Sequence, residues 1–457
     1  MKVHFIGIGG IGVSALARYY LTQGHQVTGS DLVSSEITDS LKKSGAKIFV
    51  GKHKAKNLPK DVDLVIYSPA VQPNNPELKK AHKLQTTNYK LQVQSYPQAL
   101  GELTKKYFTI AVCGSHGKST VAAMIGLILI KAGLNPTVIV GTKLREFDDS
   151  NFRLGGFPKP SYSLPTTNYP LLVIEADEHF ASFLNYWPKI IVLTSLEPDH
   201  LDYFKNFKNY ILAFKKFISH LPKDGILVAN KDDQNIYNNF LAAVKKLLWY
   251  FLKQKEAKKL RKILKVPGEH NVANALAALA VARVLKIPDK ISFKALSKYK
   301  GAWRRFEIKK VKLTNNLKPK TCTLISDYGH HPTQIKVTLE AAREKYPKRK
   351  ILCIYQPHQY QRTFYLFDGF VKIFRKAPID EILITDIYSV AGRESKEIKR
   401  RVNSKKLVRA IDRENVIYTP KHKIIDYLKK NLKGGEVVIL MGAGDVYKLI
   451  DLLIDKK

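Results

Sequence analysis

The segment Gly114-Ser115-His116-Gly117-Lys118-Ser119-Thr120 follows a short apolar run at 108–112 and opens a helical pattern at 119–132. Glycines let backbone N–H groups face phosphate oxygens. The lysine reaches β- and γ-phosphates, and the hydroxyl after it suits Mg2+. The strict phosphate-loop pattern asks for glycine where Val112 stands, so this is a variant of it. A second stretch, Gly7-Ile8-Gly9-Gly10-Ile11-Gly12, lies between a strand at 3–6 and a helix at 13–22. Such glycines let the chain approach a diphosphate at a helix N-terminus. Asp31, 19 residues after Gly12, ends the next strand (26–29), where a ribose-binding acid is expected. NAD, FAD and a UDP-sugar all fit this motif. Two phosphate-type sites argue against a plain dehydrogenase, which uses one.

Two acidic clusters follow apolar strands. They are Glu175-Ala176-Asp177-Glu178, and Pro198-Asp199-His200-Leu201-Asp202. Beside a phosphate loop, such groups can hold Mg2+ against a triphosphate. Further clusters are Gly268-Glu269-His270-Asn271-Val272-Ala273-Asn274, Trp303-Arg304-Arg305-Phe306-Glu307, Asp327-Tyr328-Gly329-His330-His331-Pro332-Thr333, and Gln356-Pro357-His358-Gln359-Tyr360-Gln361-Arg362-Thr363. Neither histidine cluster has a companion at zinc-ligand spacing, so no zinc site is expected. Cys113, Cys322 and Cys353 are too dispersed for a disulfide framework, which suggests a reducing compartment.

The elements that must position these residues alternate between strand and helix. Strands are expected at 3–6, 26–29 and 64–67, then 108–112, 171–175, 190–195 and 225–229, with a helix at 271–285. A third group lies at 323–326, 351–355, 381–385 and 437–441. This is an α/β chain with parallel sheets, divided into domains at 1–106, 107–300 and 301–457. The first carries the glycine motif and the second the phosphate loop. The chain has 457 residues, 45% hydrophobic and 25% charged, ample for large cores.

The net charge is +38, which raises nucleic acid as a ligand. The excess is spread, at +8, +13 and +17 over the three parts, and 61 of the 77 basic residues are lysine. No zinc-finger spacing or RNA-binding aromatic signature accompanies it, so a lysine-rich surface is preferred over nucleic-acid binding. Residues 245–265 hold nine Lys or Arg and one acid, Glu256. They are expected as one amphipathic helix with Leu247, Leu248, Phe251 and Leu252 on its buried side. The N-terminus lacks a signal-peptide cleavage pattern, and no apolar run is long enough to span a bilayer. The expectation is a cytoplasmic protein, without nucleic acid or membrane insertion.

In their order, these motifs resemble the Mur ligases of peptidoglycan synthesis. The resemblance runs from residue 2 to about 448. It rests on GIGGIGVSALA, SDL, GSHGKST, EADE, EPDHLDY, GEHNVANALAA, RRFE, DYGHHPT, QPHQYQRT and GAGDV. It implies three domains: a Rossmann-like N-terminal one for a UDP-sugar, a central P-loop-type one for ATP and a Rossmann-like C-terminal one for an amino acid. It also implies ATP-dependent ligation of L-alanine to the carboxylate of UDP-N-acetylmuramate through an acyl phosphate, with Mg2+. Carried over, Gly9, Gly10, Ile11, Gly12, Asp31 and Ser68 face the UDP moiety. Gly114, Ser115, His116, Gly117, Lys118, Ser119 and Thr120 hold ATP phosphates, with Lys118 on the transferred one. Ser119, Glu175 and His200 ligate Mg2+. His270, Asn271 and Asn274 hold adenine, and Arg305 and Asp327 close over the nucleotide. Tyr328, His330, His358 and Arg362 shape the amino-acid site. Lys118, His200, Glu175, Arg362 and His330 are the catalytic candidates. The oligomeric state is a monomer or homodimer.

Several Mur ligases carry a carbamylated lysine where this chain has Phe214, as is usual in the alanine-adding branch. A recycling ligase that adds a ready-made peptide is the runner-up, but it usually lacks the retained QPH-x-Y-x-RT pattern. Departures from the family are Gln359 in place of an arginine, Ser115 in place of threonine, and His179-Phe180 after the EADE motif. A longer stretch with extra strands is common between 233 and 268, so the central domain looks trimmed.

Overall fold

The computed structural model describes residues 1–157, 169–242, 244–313, 320–390, 394 and 396–453. Among them, eighteen strands form three sheets. The first contains β1 (Lys2–Ile6), β2 (Gln26–Asp31), β3 (Lys47–Val50), β4 (Leu64–Tyr67) and β5 (Gln92–Ser95). All are parallel, in the order β3-β2-β1-β4-β5. The order reverses between β1 and β4, so a crevice opens beyond their C-terminal ends, the usual ligand position in such sheets. Gly7 and Ser68 stand there.

The second sheet contains β6 (Phe108–Cys113), β7 (Thr137–Leu144), β8 (Ser150–Arg153), β9 (Leu171–Glu175), β10 (Ile190–Leu193), β11 (Ile226–Asn230) and β12 (Leu247–Tyr250). Its order is β12-β11-β10-β6-β9-β7-β8, parallel except for the β7–β8 pair. The helix Lys118–Lys131 is apolar on nearly every face and is buried from Ser119 to Leu129 apart from Leu127. Such a helix has to lie inside a large α/β layer.

The third sheet contains β13 (Glu307–Leu313), β14 (Lys320–Asp327), β15 (Ile351–Tyr355), β16 (Glu381–Ile384), β17 (Val416–Tyr418) and β18 (Val437–Met441). Its order is β13-β14-β18-β15-β16-β17, with only β13–β14 antiparallel. Side chains alternate between two cores. Ile351, Cys353 and Tyr355 pack on one face with Phe370 and Phe374, while Leu352 and Ile354 pack on the other with Leu428 and Val446.

Contact density divides the chain into two compact units. One comprises residues 1–197, 208–263 and 273–299, with the first two sheets. The other comprises 198–207, 264–272 and 300–457, with the third sheet. In the first unit the helix Ile11–Thr22 docks on β8: Asn151 Nδ2 donates to the Ile11 carbonyl and, over 3.1 Å, to Ser14 Oγ.

One expected element is different. Residues 245–265 are not a single helix: β12 comes first, then a helix at Lys255–Ile263. The run Leu-Leu-Trp-Tyr fits a pleated surface and extends the sheet beside β11. Leu248 is therefore exposed and Tyr250 carries the burial, with Ala257 and Leu260 on the helix behind it.

Candidate active site

In the first unit, β6 and β9 are neighbours, so Cys113 and Glu175 end side by side. The chain leaves β6 through Gly114, at φ +127°, where an added Cβ would stand 2.3 Å from Thr194 Oγ1. Gly117, at φ +84°, begins the helix, and a Cβ there would stand 2.5 Å from Asn274 Oδ1. Only glycine suits such a backbone at such close approach. Lys118 Nζ donates to the Gly114 carbonyl at 2.7 Å and to Glu178 Oε2 at 2.8 Å, with Asp177 at 4.0 Å. Burial works against its charge, but Glu178, Asp177 and Glu175 together raise it above the ordinary lysine value. Ser119 Oγ donates to both oxygens of Glu175, at 2.9 and 2.8 Å, and the Gly141 N–H donates to Oε2 at 2.7 Å. Ser115 Oγ donates to the Glu197 carbonyl and accepts from the Glu197 N–H. His116 Nε2 is 2.8 Å from Glu197 Oε2, and Thr120 is buried in the first helical turn. Phe214 is wholly buried and packs edge-on against Phe183 at 5.0 Å between ring centroids, a core residue rather than a ligand.

At the glycine loop, the Gly7 and Ile8 N–H groups both donate to the Ser30 carbonyl, at 2.8 and 3.1 Å. The Gly9 N–H donates to Asp31 Oδ2 at 2.8 Å. Gly10 caps the helix, and Ile11 is its first residue. A Cβ on Gly12 would stand 2.9 Å from the Tyr96 ring, so this glycine also serves packing. Ser68 faces Gly7 across the switch point, and its Oγ accepts from the Ala70 N–H.

The second unit holds the other candidates. Arg362 donates through Nε and Nη2 to Asp199 Oδ1, both at 3.2 Å, and both side chains are buried. Burial alone would raise the Asp199 carboxyl. Arg362 first, then His200, His331 and His330, hold it well below the usual carboxylate range. His330 is pushed well below the usual imidazole value by burial and by Arg362. It lies 6.0 Å from the His358 ring, which stacks on Tyr388. Asp327 accepts from the Phe306 and Gly329 N–H groups, each at 2.8 Å, and burial raises its carboxyl despite Arg305. Arg304 and Arg305 both lie over the Tyr328 ring. Asn271 Nδ2 donates to the Pro267 carbonyl, and burial lowers the His270 imidazole to about 4.

Among or beside these candidates, His200 (52°), Arg304 (54°), Phe306 (51°) and Gln359 (70°) hold positive φ without being glycine. Such conformations persist where surrounding structure enforces them, often at ligand sites. Gln359 lines a small cleft with Asp199, His200, Arg362 and Tyr365. Sequence reasoning named Glu178 and Asp199 only as motif members, without partners. A carboxylate directly after a strand end, near a phosphate-loop lysine, is the signal that could have found Glu178.

A phosphate loop opening a buried helix, a hydroxyl joined to a strand-end carboxylate, and a second glycine loop at a switch point define a nucleotide-dependent α/β enzyme of the phosphoryl-transfer kind. The model for the Mur ligase family catalytic domain matches residues 2–108, that for the Mur ligase middle domain 112–282, and that for the Mur ligase glutamate ligase domain 304–444. The UDP-N-acetylmuramate–L-alanine ligase of Acetivibrio thermocellus is 40% identical over 100% of this chain and 96% of its own. The chain belongs to the Mur ligase family, which are ATP-dependent ligases. The same-named enzyme of Clostridium tetani is 38% identical over 99% of this chain and 98% of its own. The structure of the UDP-N-acetylmuramate–alanine ligase of Thermotoga maritima superposes with a TM-score of 0.76, at 27% identity, covering 99% of this chain and 98% of that one. A murein peptide ligase of Psychrobacter arcticus shares the fold, with a TM-score of 0.69 at 24% identity over 99% and 98% of the two chains. No helix among the described residues is long and apolar enough to cross a membrane.

Proposed function

We propose that this chain ligates L-alanine to the lactyl carboxylate of UDP-N-acetylmuramate, using ATP, in the synthesis of peptidoglycan precursors. The observation that carries it is the constellation at the ends of β6 and β9: Lys118 held between carboxylates, and Ser119 joined to Glu175. ATP phosphorylates the substrate carboxylate, and the amine of alanine then attacks the acyl phosphate. Lys118 offsets charge developing on the transferred phosphoryl oxygens.

The Ser119 hydroxyl and Glu175 carboxylate are hard oxygen donors of the kind Mg2+ takes. They would hold the ion, with His200 as the further ligand, and the ion would supply charge neutralisation at the phosphates. The glycine loop with Asp31 and Ser68 receives the UDP moiety. His270, Asn271, Asn274, Arg305 and Asp327 serve the nucleotide, and Tyr328, His330, His358 and Arg362 the amino acid. Domains divide at 106 and 300. The protein acts in the cytoplasm as a monomer or homodimer. The test is phosphate release with UDP-N-acetylmuramate and a panel of amino acids and a free tripeptide with an N-terminal L-alanine. L-Alanine should give the highest kcat/KM. Release with the tripeptide alone would make it a recycling ligase, and no release with any small amino acid would end the proposal.

A further inference from the structure

Glu77 lies in the first turn of the helix Pro76–Thr87, where an acid is ordinarily a solvated partner of the helix dipole. Here its side chain is 0% exposed. Glutamate is almost never fully buried unless paired, and five groups pair with this one. Oε2 receives Ser30 Oγ–H at 2.7 Å and lies 2.9 Å from His4 Nε2. Oε1 receives Asn57 Nδ2–H at 2.9 Å and the Lys54 N–H at 3.3 Å, and lies 3.1 Å from His53 Nδ1. Two carboxylate oxygens have about four lone-pair sites, so the group is saturated.

The network leads to the glycine loop through one residue. The Ser30 side chain is fixed by Glu77, and its carbonyl accepts the Gly7 and Ile8 N–H groups. The next residue, Asp31, accepts the Gly9 N–H. Residues 30 and 31 thus hold three successive N–H groups of the loop, and Glu77 holds residue 30. A shift of Ser30 would carry the loop with it, in a site where the backbone has to meet a diphosphate closely.

We infer that Glu77 is a positioning residue for the sugar-nucleotide site, acting through Ser30 on the backbone of the glycine loop. The inference rests on the proposal that this loop receives the UDP moiety. A purely structural role predicts something different: lower stability, with both nucleotide sites weakened alike.

The experiment compares the full-length wild type with Glu77→Gln and Ser30→Ala. It titrates UDP alone and, separately, a non-hydrolysable ATP analogue with Mg2+ by calorimetry, alongside steady-state kinetics. Loss of one buried hydrogen bond of this kind predicts a UDP Kd raised about tenfold in both variants. KM for UDP-N-acetylmuramate should rise in parallel, with kcat and ATP-analogue affinity within about twofold of wild type. If Glu77→Gln fails to fold, Ser30→Ala decides, because it removes one partner of five. An unchanged UDP Kd in folded Ser30→Ala, or equal weakening at both sites, overturns the inference. Failure of the wild type to bind UDP would instead overturn the assignment of the loop on which it rests.

Discussion

Lys118 keeps its charge because three carboxylates outweigh the burial that opposes it. It is therefore a cation fixed in place before any phosphate arrives, and a phosphate only has to exchange for Glu178 as its partner. Lys118→Ala should lower kcat by about 10²–10³-fold or more, the scale of losing one preorganised charge donor. UDP binding should change little, since the glycine loop has its own support at Ser30 and Asp31. Calorimetry with UDP beside a phosphate-release assay checks both; equal loss of the two would mean the sites are not separate. His270 shows the opposite balance, with an imidazole held neutral by burial and a value of about 4 against an ordinary 6.5. Below pH 6.5 the unfolded chain takes up a proton that the folded chain refuses. The contribution of neutral His270 is thus present above pH 6.5 and is lost as pH falls towards 4. The Tm advantage of wild type over His270→Gln should shrink between pH 7 and pH 4.5, and an advantage that grows there would contradict it.

The contact between the helix Ile11–Thr22 and β8 fixes the glycine loop to the sheet that carries the phosphate loop. Its polar tie is Asn151, buried on β8 and donating to Ile11 and Ser14. Asn151→Ala removes both hydrogen bonds, to Ile11 and to Ser14, and at about 0.5–1.5 kcal/mol each should cost about 1–3 kcal/mol, read as a Tm lower by several degrees. UDP affinity should fall with it, because the helix start is the end proposed to face the diphosphate; an unaltered Tm would show the contact to be incidental. The same sheets show what the sequence makes legible. Leu171–Glu175, Ile351–Tyr355 and Val437–Met441 are interior strands covered on both faces, so their apolar runs announce them residue by residue. The strands that escape the sequence are chiefly those at sheet edges: Lys47–Val50, Gln92–Ser95, Ser150–Arg153, Leu247–Tyr250, Glu307–Leu313 and Val416–Tyr418. An edge strand is half solvated and tolerates lysine and glutamine, so Glu307–Leu313, with three lysines, resembles a surface loop. The same asymmetry holds at the site. Loop residues such as Gly117 and Lys118 are legible because backbone geometry demands those types at those offsets. Glu77 and Asp199 are not, because their partners Ser30 and Arg362 come from distant sequence.

At the scale of the whole chain, the +38 charge stands apart from the chemistry, since the proposed sites employ few of the 61 lysines. The helix Lys255–Ile263 shows the pattern. Lys258, Lys259, Arg261 and Lys262 are exposed, while its one acid, Glu256, is buried and paired with Arg283 at 2.7 Å. In the helix Lys396–Arg401, the exposed Glu397 pairs with Arg401 at 2.6 Å, beside Lys396, Lys399 and Arg400. Exposed pairs of this sort contribute at most about 1 kcal/mol each and do not offset a single-sign excess. The excess repels itself more in the folded state, where the charges are closer, than in the expanded unfolded chain. Salt screens that repulsion, with a Debye length of about 10 Å at 0.1 M and about 30 Å at 0.01 M. Tm should therefore rise by several degrees as NaCl is raised from about 0.01 M to about 0.3 M at constant pH. Sodium sulfate at equal ionic strength separates screening from anion capture beside Lys118 at the start of its helix. Screening predicts a smooth rise in both salts, whereas capture predicts a sulfate effect that saturates early and is lost in Lys118→Ala. A Tm that stays flat or falls with NaCl would show that the lysine excess is already neutralised within the fold.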